Sequence, residues 1–256
     1  DNLIQNLNDI SFKGLRSSLE KVDFSYNNIE QLPHRLFNES TRVKAINFDS
    51  NFITNVPANA FNGMYILHLI LSHNYIINVD PNAFVSLENS LEYLDFERNF
   101  LSSTPSSISS LRKLRYLYFT SNAISHIETL PSSLKVLSLS SNDFSRIPYE
   151  VLSNCTELSY LNLGYNRIPS IETRSFETWG RNLQTLLLRN NKIDKMNSGI
   201  FSGLDSIKEI SLSFNDIHFV HPLVFQNISK TLKILELSFA IYSEDYPHEA
   251  ISYLTE

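Results

Sequence analysis

The chain reads as a curved solenoid. One short strand per repeat builds a parallel β-sheet on the concave face, and irregular or short 3-10 turns close the convex face. Two observations predict this. Ten asparagines, Asn2, Asn27, Asn51, Asn74, Asn99, Asn122, Asn142, Asn166, Asn191 and Asn215, recur at intervals of 20 to 25 residues. Aligned on them, the segments share the pattern L-x-x-L-x-L-x-x-N-x-I, as in Leu158, Leu161, Leu163, Asn166 and Ile168. Self-similarity at such a period marks a stacked array in which each unit buries its apolar face only against its neighbours.

The strand comes first in each repeat. Residues two apart in an extended chain point the same way, so the L-x-L leucines enter a core and the residues between them face out. Parallel pairing of successive strands requires a long return connection, which the remainder of each repeat supplies. The asparagine falls where the strand bends into that return, and its amide offers donors and an acceptor to backbone groups the bend leaves unpaired. Ten residues further on stand Phe12, Phe37, Phe61, Phe84, Phe176, Phe201 and Phe225, a spine for the convex side. Apolar residues five positions after the asparagine, from Leu7 and Leu32 to Met196 and Val220, complete the filling. The repeat opened by Asn122 is only 20 residues long and lacks the phenylalanine, which predicts a tightened loop around Ser125 to Ser133.

We expect residues 1–256 to form a single array of about ten repeats. It reads as cut at the N-terminus, because Asn2 enters at the bend without a preceding strand. Residues 241–256 are expected to be a degenerate last coil or an improvised cap, since Ala240 stands where an asparagine is due. With only 6 glycines and 9 prolines, no linker or low-complexity tract breaks the pattern. No apolar run approaches the ~20 residues of a membrane span, so no direct membrane insertion is expected in this segment.

The full unit, L-x-x-L-x-L-x-x-N-x-I-x-x-(I/V/L)-P-x-x-x-F-x-x-L, resembles the typical extracellular leucine-rich repeats of animal cell-surface proteins. It lacks the G-x-I-P element of plant receptor repeats. Many uninterrupted repeats with aromatic-rich strands and no cysteine clusters are similar to the chaoptin-like adhesion proteins. The resemblance implies a leucine-rich-repeat solenoid of the α/β horseshoe class, a protein-binding role in cell adhesion, an extracellular or cell-surface location, and in the full-length protein a lipid anchor. It also implies a protein partner, with a second copy of the chain as one candidate. A ligand-sensing ectodomain of a Toll-type signalling receptor is the alternative, and an intracellular scaffold a further one.

Three glycosylation sequons, at Asn38, Asn154 and Asn227, fall eleven or twelve residues after their bend asparagines. They share the convex phase, which predicts N-linked glycans that leave the concave sheet bare. Cys155, the only cysteine, occupies a position filled elsewhere by Leu87, Trp179 and Leu204, and so is expected in the core.

The concave face is where a partner would dock. Its outward positions include Tyr93, Asp95 and Glu97, then Tyr116 and Tyr118, then Val136, Ser138 and Ser140, then Tyr160 and Asn162, and later Ser211 and Ser213. The tyrosines offer stiff, amphipathic contact surface, and with Asp95, Glu97 and Asn162 they form the candidate protein-binding site. The competing reading is that they only brace the sheet through cross-strand contacts. A net charge of -6 argues against nucleic acid and other polyanions. The 7 histidines form no zinc-ligand pattern, and neither a phosphate-cradling loop nor a nucleophile motif occurs. We therefore expect no catalytic residues, metal or cofactor.

Overall fold

The computed structural model describes residues 2–7, 19–33, 41–242 and 247–254. It divides into two compact units, Asp1–Leu134 and Lys135–Glu256. In the first, the strands Lys21–Asp23, Ala45–Asn47, His68–Ile70, Tyr93–Asp95 and Tyr116–Tyr118 pair in parallel and in chain order. In the second, Val136–Ser138, Tyr160–Asn162, Thr185–Leu187, Glu209–Ser211 and Ile234–Glu236 do the same. Register is one repeat per step, so Leu69 sits opposite Leu94 and Leu94 opposite Leu117. Each unit is thus a solenoid of parallel strands.

The alternation within each strand has its expected consequence. Ile46, Leu69, Leu94, Leu117, Leu137, Leu161, Leu186 and Ile210 are fully buried, while their flanking residues face the open side of the sheet. In the last strand Leu235 is only half-buried, as befits an edge without a further strand among the described residues. The return connections are short 3-10 helices, such as Val85–Leu87 and Gln226–Ile228, the four-residue helix Tyr149–Leu152, and two-residue strand pairs such as Asn55–Val56 with Asn78–Val79. From Asn122 to the next strand the chain makes only bends and a turn, tied back where Ser133 Oγ donates to the Leu114 carbonyl at 2.8 Å.

Side chains of like phase stack. Phe61 lies on Phe84 with ring centroids 6.0 Å apart, and Phe201 on Phe225 at the same spacing. Phe12 and Phe37 lie outside the described residues. A second column, three residues before the asparagine, stacks Phe24 on Phe48 at 5.1 Å and Phe96 on Phe119 at 5.6 Å. One glycine is sterically obligatory: at Gly203, with φ +91, an added Cβ would meet the Phe176 carbonyl oxygen at 2.7 Å.

The bend asparagines tie each repeat to the one before it. Asn51 Nδ2 donates to the Phe48 carbonyl of its own repeat at 3.1 Å and to the Phe24 carbonyl of the preceding one at 2.9 Å. Its Oδ1 accepts from the Ile29 N–H, also in the preceding repeat, at 3.0 Å. Asn74, Asn99, Asn122, Asn166, Asn191 and Asn215 repeat the set. Asn142 donates to the Leu139 and Ser140 carbonyls, Asn27 Oδ1 accepts from the Ile4 N–H, and Asn2 is exposed. An amide with two donors and one acceptor is the smallest side chain that can satisfy all these groups.

The residue before every one of these asparagines from Asn27 onward adopts a left-handed conformation, from φ 49 at His73 to φ 59 at Phe214. None is glycine. The bend must reverse local direction within one residue, and the asparagine bonds hold that residue in a region that L-amino acids otherwise avoid.

At the far end, Ile241 bridges Ile217 in parallel, and the helix His248–Ser252 buries Ala250. Among the described residues, no helix is long and apolar enough to cross a membrane.

Candidate functional site

The open face of the first unit brings five of the sequence-selected residues together. Registry places Tyr93 opposite Tyr116 and Asp95 opposite Tyr118. The rings of Tyr93 and Tyr118 are 5.2 Å apart and those of Tyr93 and Tyr116 6.3 Å apart, all tilted, with His68 tilted against Tyr93 from the preceding strand at 5.7 Å. Tyr116 is exposed, whereas Tyr93, Asp95, Glu97 and Tyr118 are half-buried. Tilted aromatic pairs at these spacings add modest stability, of order 1 kcal/mol, and leave ring edges and faces accessible.

Asp95 lies beneath this cluster. Its Oδ1 accepts the Glu97 N–H at 2.8 Å, closing a local turn that Asp23 and Asn47 also make with the residue two ahead. Its Oδ2 accepts a long hydrogen bond of 3.4 Å from the Tyr93 hydroxyl. No cation pairs with it among the described residues. Burial pushes the carboxyl up to about 6, and the negative charges of Glu97 and Asp49 add to that. Burial, together with Asp95, also raises the Tyr93 hydroxyl, which stays a proton donor.

Asp49, two strands earlier, shows what a satisfied carboxylate looks like on the same face. Burial pushes it up as well, but it accepts from Ser72 Oγ at 2.6 Å, His73 Nδ1 at 2.8 Å and Ser50 Oγ at 2.9 Å, and these bonds hold it below the usual range.

The remaining pair, Tyr160 and Asn162, belongs to the second unit. Tyr160 is half-buried, and burial raises its hydroxyl. Asn162 Oδ1 accepts the Gly164 N–H at 2.9 Å, a turn-forming contact. Four positions expected to face a partner here, Ser138, Ser140, Ser211 and Ser213, are buried instead. A serine carries one heavy atom beyond Cβ, too little to rise past registered neighbours such as Leu187 and Glu236, which flank Ser211. Three exposed rings of the second unit, Tyr165, Phe214 and Phe239, sit on the bends: Arg189 bonds the Tyr165 hydroxyl at 3.2 Å and lies 4.3 Å over the Phe214 ring, which packs on Phe239.

Sequence reading missed these bend rings, and likewise Phe52, Tyr75 and Phe100, which stack in an exposed row at centroid spacings of 5.7 Å directly after their asparagines. The signal was present as an aromatic column at a fixed phase. It stood outside the strand, where attention to alternation does not reach.

Asn154 and Asn227 are exposed on return connections of the second unit, and Asn227 Nδ2 donates to Ser202 Oγ at 3.0 Å. Asn38 lies outside the described residues. Cys155 is fully buried, and burial pushes its thiol up to about 11. No three metal-ligating side chains converge among the described residues.

Parallel one-strand repeats held by an asparagine column define a leucine-rich-repeat protein. Sequence comparison agrees: the Leucine rich repeat family pattern matches residues 41–101, 67–124, 132–178 and 181–239. The chain belongs to the leucine-rich-repeat family. It is 29% identical to podocan of Mus musculus over 250 residues, covering 87% of this chain and 40% of podocan. It is 28% identical to chaoptin of Drosophila melanogaster, covering 91% of this chain and 19% of chaoptin, and 26% identical to Toll-like receptor 3 of Bos taurus, covering 78% and 22%. The chain therefore spans well under half the length of these relatives. Among solved structures, the complex of TLR13 with ssRNA13 superposes with a TM-score of 0.62 at 17% identity, covering 92% of this chain and 48% of that one, a likeness of fold alone.

Proposed function

We propose that the chain is a protein-binding module of an extracellular or cell-surface protein, serving cell adhesion through the open face of its sheet. The observation that carries this reading is the tyrosine cluster of the first unit, where Tyr93, Tyr116 and Tyr118 crowd around a poorly compensated Asp95. Large amphipathic rings over a partly buried charge suit an interface better than a surface meant only for water. The sequence likeness to chaoptin supports adhesion, with a second copy of the chain among the candidate partners and a lipid anchor in the full-length protein. N-glycans are proposed on Asn38, Asn154 and Asn227, and those on Asn154 and Asn227 would decorate return connections and leave the sheet clear. Tyr160 and Asn162, on the open face of the second unit, are proposed as binding residues of that unit.

The partner we propose is a protein. Asp23, Asp49, Asp95 and Glu97 on the open face of the first unit would repel the phosphates of a nucleic acid. The second reading, the ectodomain of a Toll-type receptor, is favoured by the likeness to Toll-like receptor 3. It would use the same face in signalling rather than adhesion.

Cells displaying the chain provide the test. Changing Tyr116 and Tyr118 together to serine should abolish cell aggregation or partner capture while the circular dichroism spectrum and melting temperature stay close to the parent's. Equal loss of folding and binding would assign the rings to bracing the sheet. Aggregation unaffected by the double change would remove this face from the adhesion reading.

A further inference from the structure

The open face of the first unit holds two kinds of carboxylate, and the difference between them points to a ligand. Asp49 is enclosed by three donors, including His73. Glu97 has Arg98 Nε at 3.7 Å. Asp95 is more deeply buried than Asp49 and has only a backbone N–H and a long tyrosine bond. A carboxylate taken out of water without a counter-charge is costly, and the cost is relieved when a cation arrives.

What surrounds Asp95 selects the cation. The tilted rings of Tyr93 and Tyr118 stand 5.2 Å apart beside it, and Tyr116 borders the same spot. A guanidinium can stack on a tyrosine face and offer paired N–H donors to a carboxylate, which an ammonium does less well.

We infer that Asp95, Glu97 and the rings of Tyr93, Tyr116 and Tyr118 form a socket for an arginine side chain presented by a basic segment of a protein partner. This rests on the open face being the binding face. It adds the chemistry of the partner: a basic segment anchored by arginine on the fourth and fifth strands of the first unit, and not a neutral or acidic one.

Asp95 loses its charge on mild acidification. The groups that set this are Asp49, His68 and His73 on the preceding strands and their bends. On the same strand they are Tyr93, Glu97 and Arg98, and on the following one Tyr116 and Tyr118. Protonating Asp95 removes its own attraction for arginine, so binding weakens as pH falls through about 6.

Fluorescence anisotropy with a labelled arginine-rich peptide, against the same peptide with citrulline in place of arginine, tests this on the whole chain at physiological salt. The parent should bind the arginine probe about tenfold more tightly than the citrulline probe near pH 7.5, with the preference falling toward unity near pH 5. Asp95→Asn, which keeps an acceptor for the Glu97 N–H, should erase both the preference and its pH dependence. A Glu209→Gln, Glu236→Gln double variant removes two charges from the open strands of the second unit and should leave them nearly unchanged. Equal losses in the two variants would reduce the effect to diffuse charge and overturn the socket, as would a preference indifferent to pH. If the tyrosine variant abolishes cell aggregation while Asp95→Asn leaves probe binding intact, the socket falls and the adhesion reading stands.

Discussion

Replacing Asp95 by asparagine should make the protein more stable at neutral pH. In the fold the carboxyl is held at about 6 against an ordinary 3.8, so the folded chain binds the proton more tightly than the unfolded one. A folded-state pKa raised in this way favours the fold while the group is protonated. That contribution is complete below about 3.8 and is lost as pH rises through about 6. Each pKa unit corresponds to about 1.4 kcal/mol, which sets a ceiling of roughly 3 kcal/mol on the destabilisation above that window. The site opens to solvent on one side, and screening there should reduce the effect to about 1–2 kcal/mol. Asparagine is close to isosteric, retains the acceptor for the Glu97 N–H at 2.8 Å, and carries no charge. Urea denaturation of parent and variant at about pH 3.5 and pH 7.5 checks this. The variant should match the parent at the lower pH and exceed it by about 1–2 kcal/mol at the higher one. A variant equally stable or weaker at neutral pH would show that Asp95 is well solvated or compensated, and would undo the account of the socket.

Three further outcomes follow from the repeats and the core. Asn166→Ala strands the Phe144 N–H and removes the donor to the Leu139 and Leu163 carbonyls. It should cost about 2–4 kcal/mol in chemical denaturation, whereas Asn2→Ala, at an exposed position, should stay within about 0.5 kcal/mol. Ser121, at φ 57, should tolerate glycine within about 1 kcal/mol but lose about 1–3 kcal/mol on change to valine, whose branched Cβ disfavours the left-handed region. Cys155, with its thiol pushed up to about 11, should react with a thiol reagent near pH 8 about a hundredfold or more slowly in the folded chain than in denaturant. Fast labelling of the native protein would contradict its burial.

The sequence made the period-two core legible because burial there depends only on which way alternate residues point. Leu94 and Leu117 enter the core and Tyr93 and Tyr116 do not, whatever the detailed curvature. The asparagine column was equally readable, since an amide repeating in phase with buried leucines needs a backbone partner. What could not be read is that its bonds reach into the preceding repeat, as Asn51 does to Ile29 and Phe24, because that depends on the rise between coils. The left-handed residues were hidden for a different reason. Conformational strain at Tyr26, Arg98 or Phe214 is imposed by the asparagine that follows and leaves no mark on the choice of side chain. Depth on the open face was misjudged for small residues, because Ser211 and Ser213 share the phase of Asp95 and Glu97 but not their reach.

The comparison of Asp49 with Asp95 carries the functional argument further than composition can. Both are aspartates on one face, two coils apart, and both are partly buried. The chain surrounds the first with Ser50, Ser72 and His73, so the means of stabilising a buried carboxylate on this face are plainly available to the fold. Around Asp95 it places Tyr93, Tyr116 and Tyr118, and the Tyr93 hydroxyl donates to the carboxylate only weakly, at 3.4 Å. A residue that lowers stability where a neutral isostere would raise it is the pattern expected when a site is shaped for a ligand rather than for the fold. The tyrosines exclude water from the carboxylate without satisfying it, and the charge therefore stays available to an incoming arginine. If asparagine at position 95 both stabilises the chain and removes its preference for arginine over citrulline, the two effects share one cause, the uncompensated charge. Were the variant more stable yet unchanged in binding, the strain at Asp95 would belong to the fold alone.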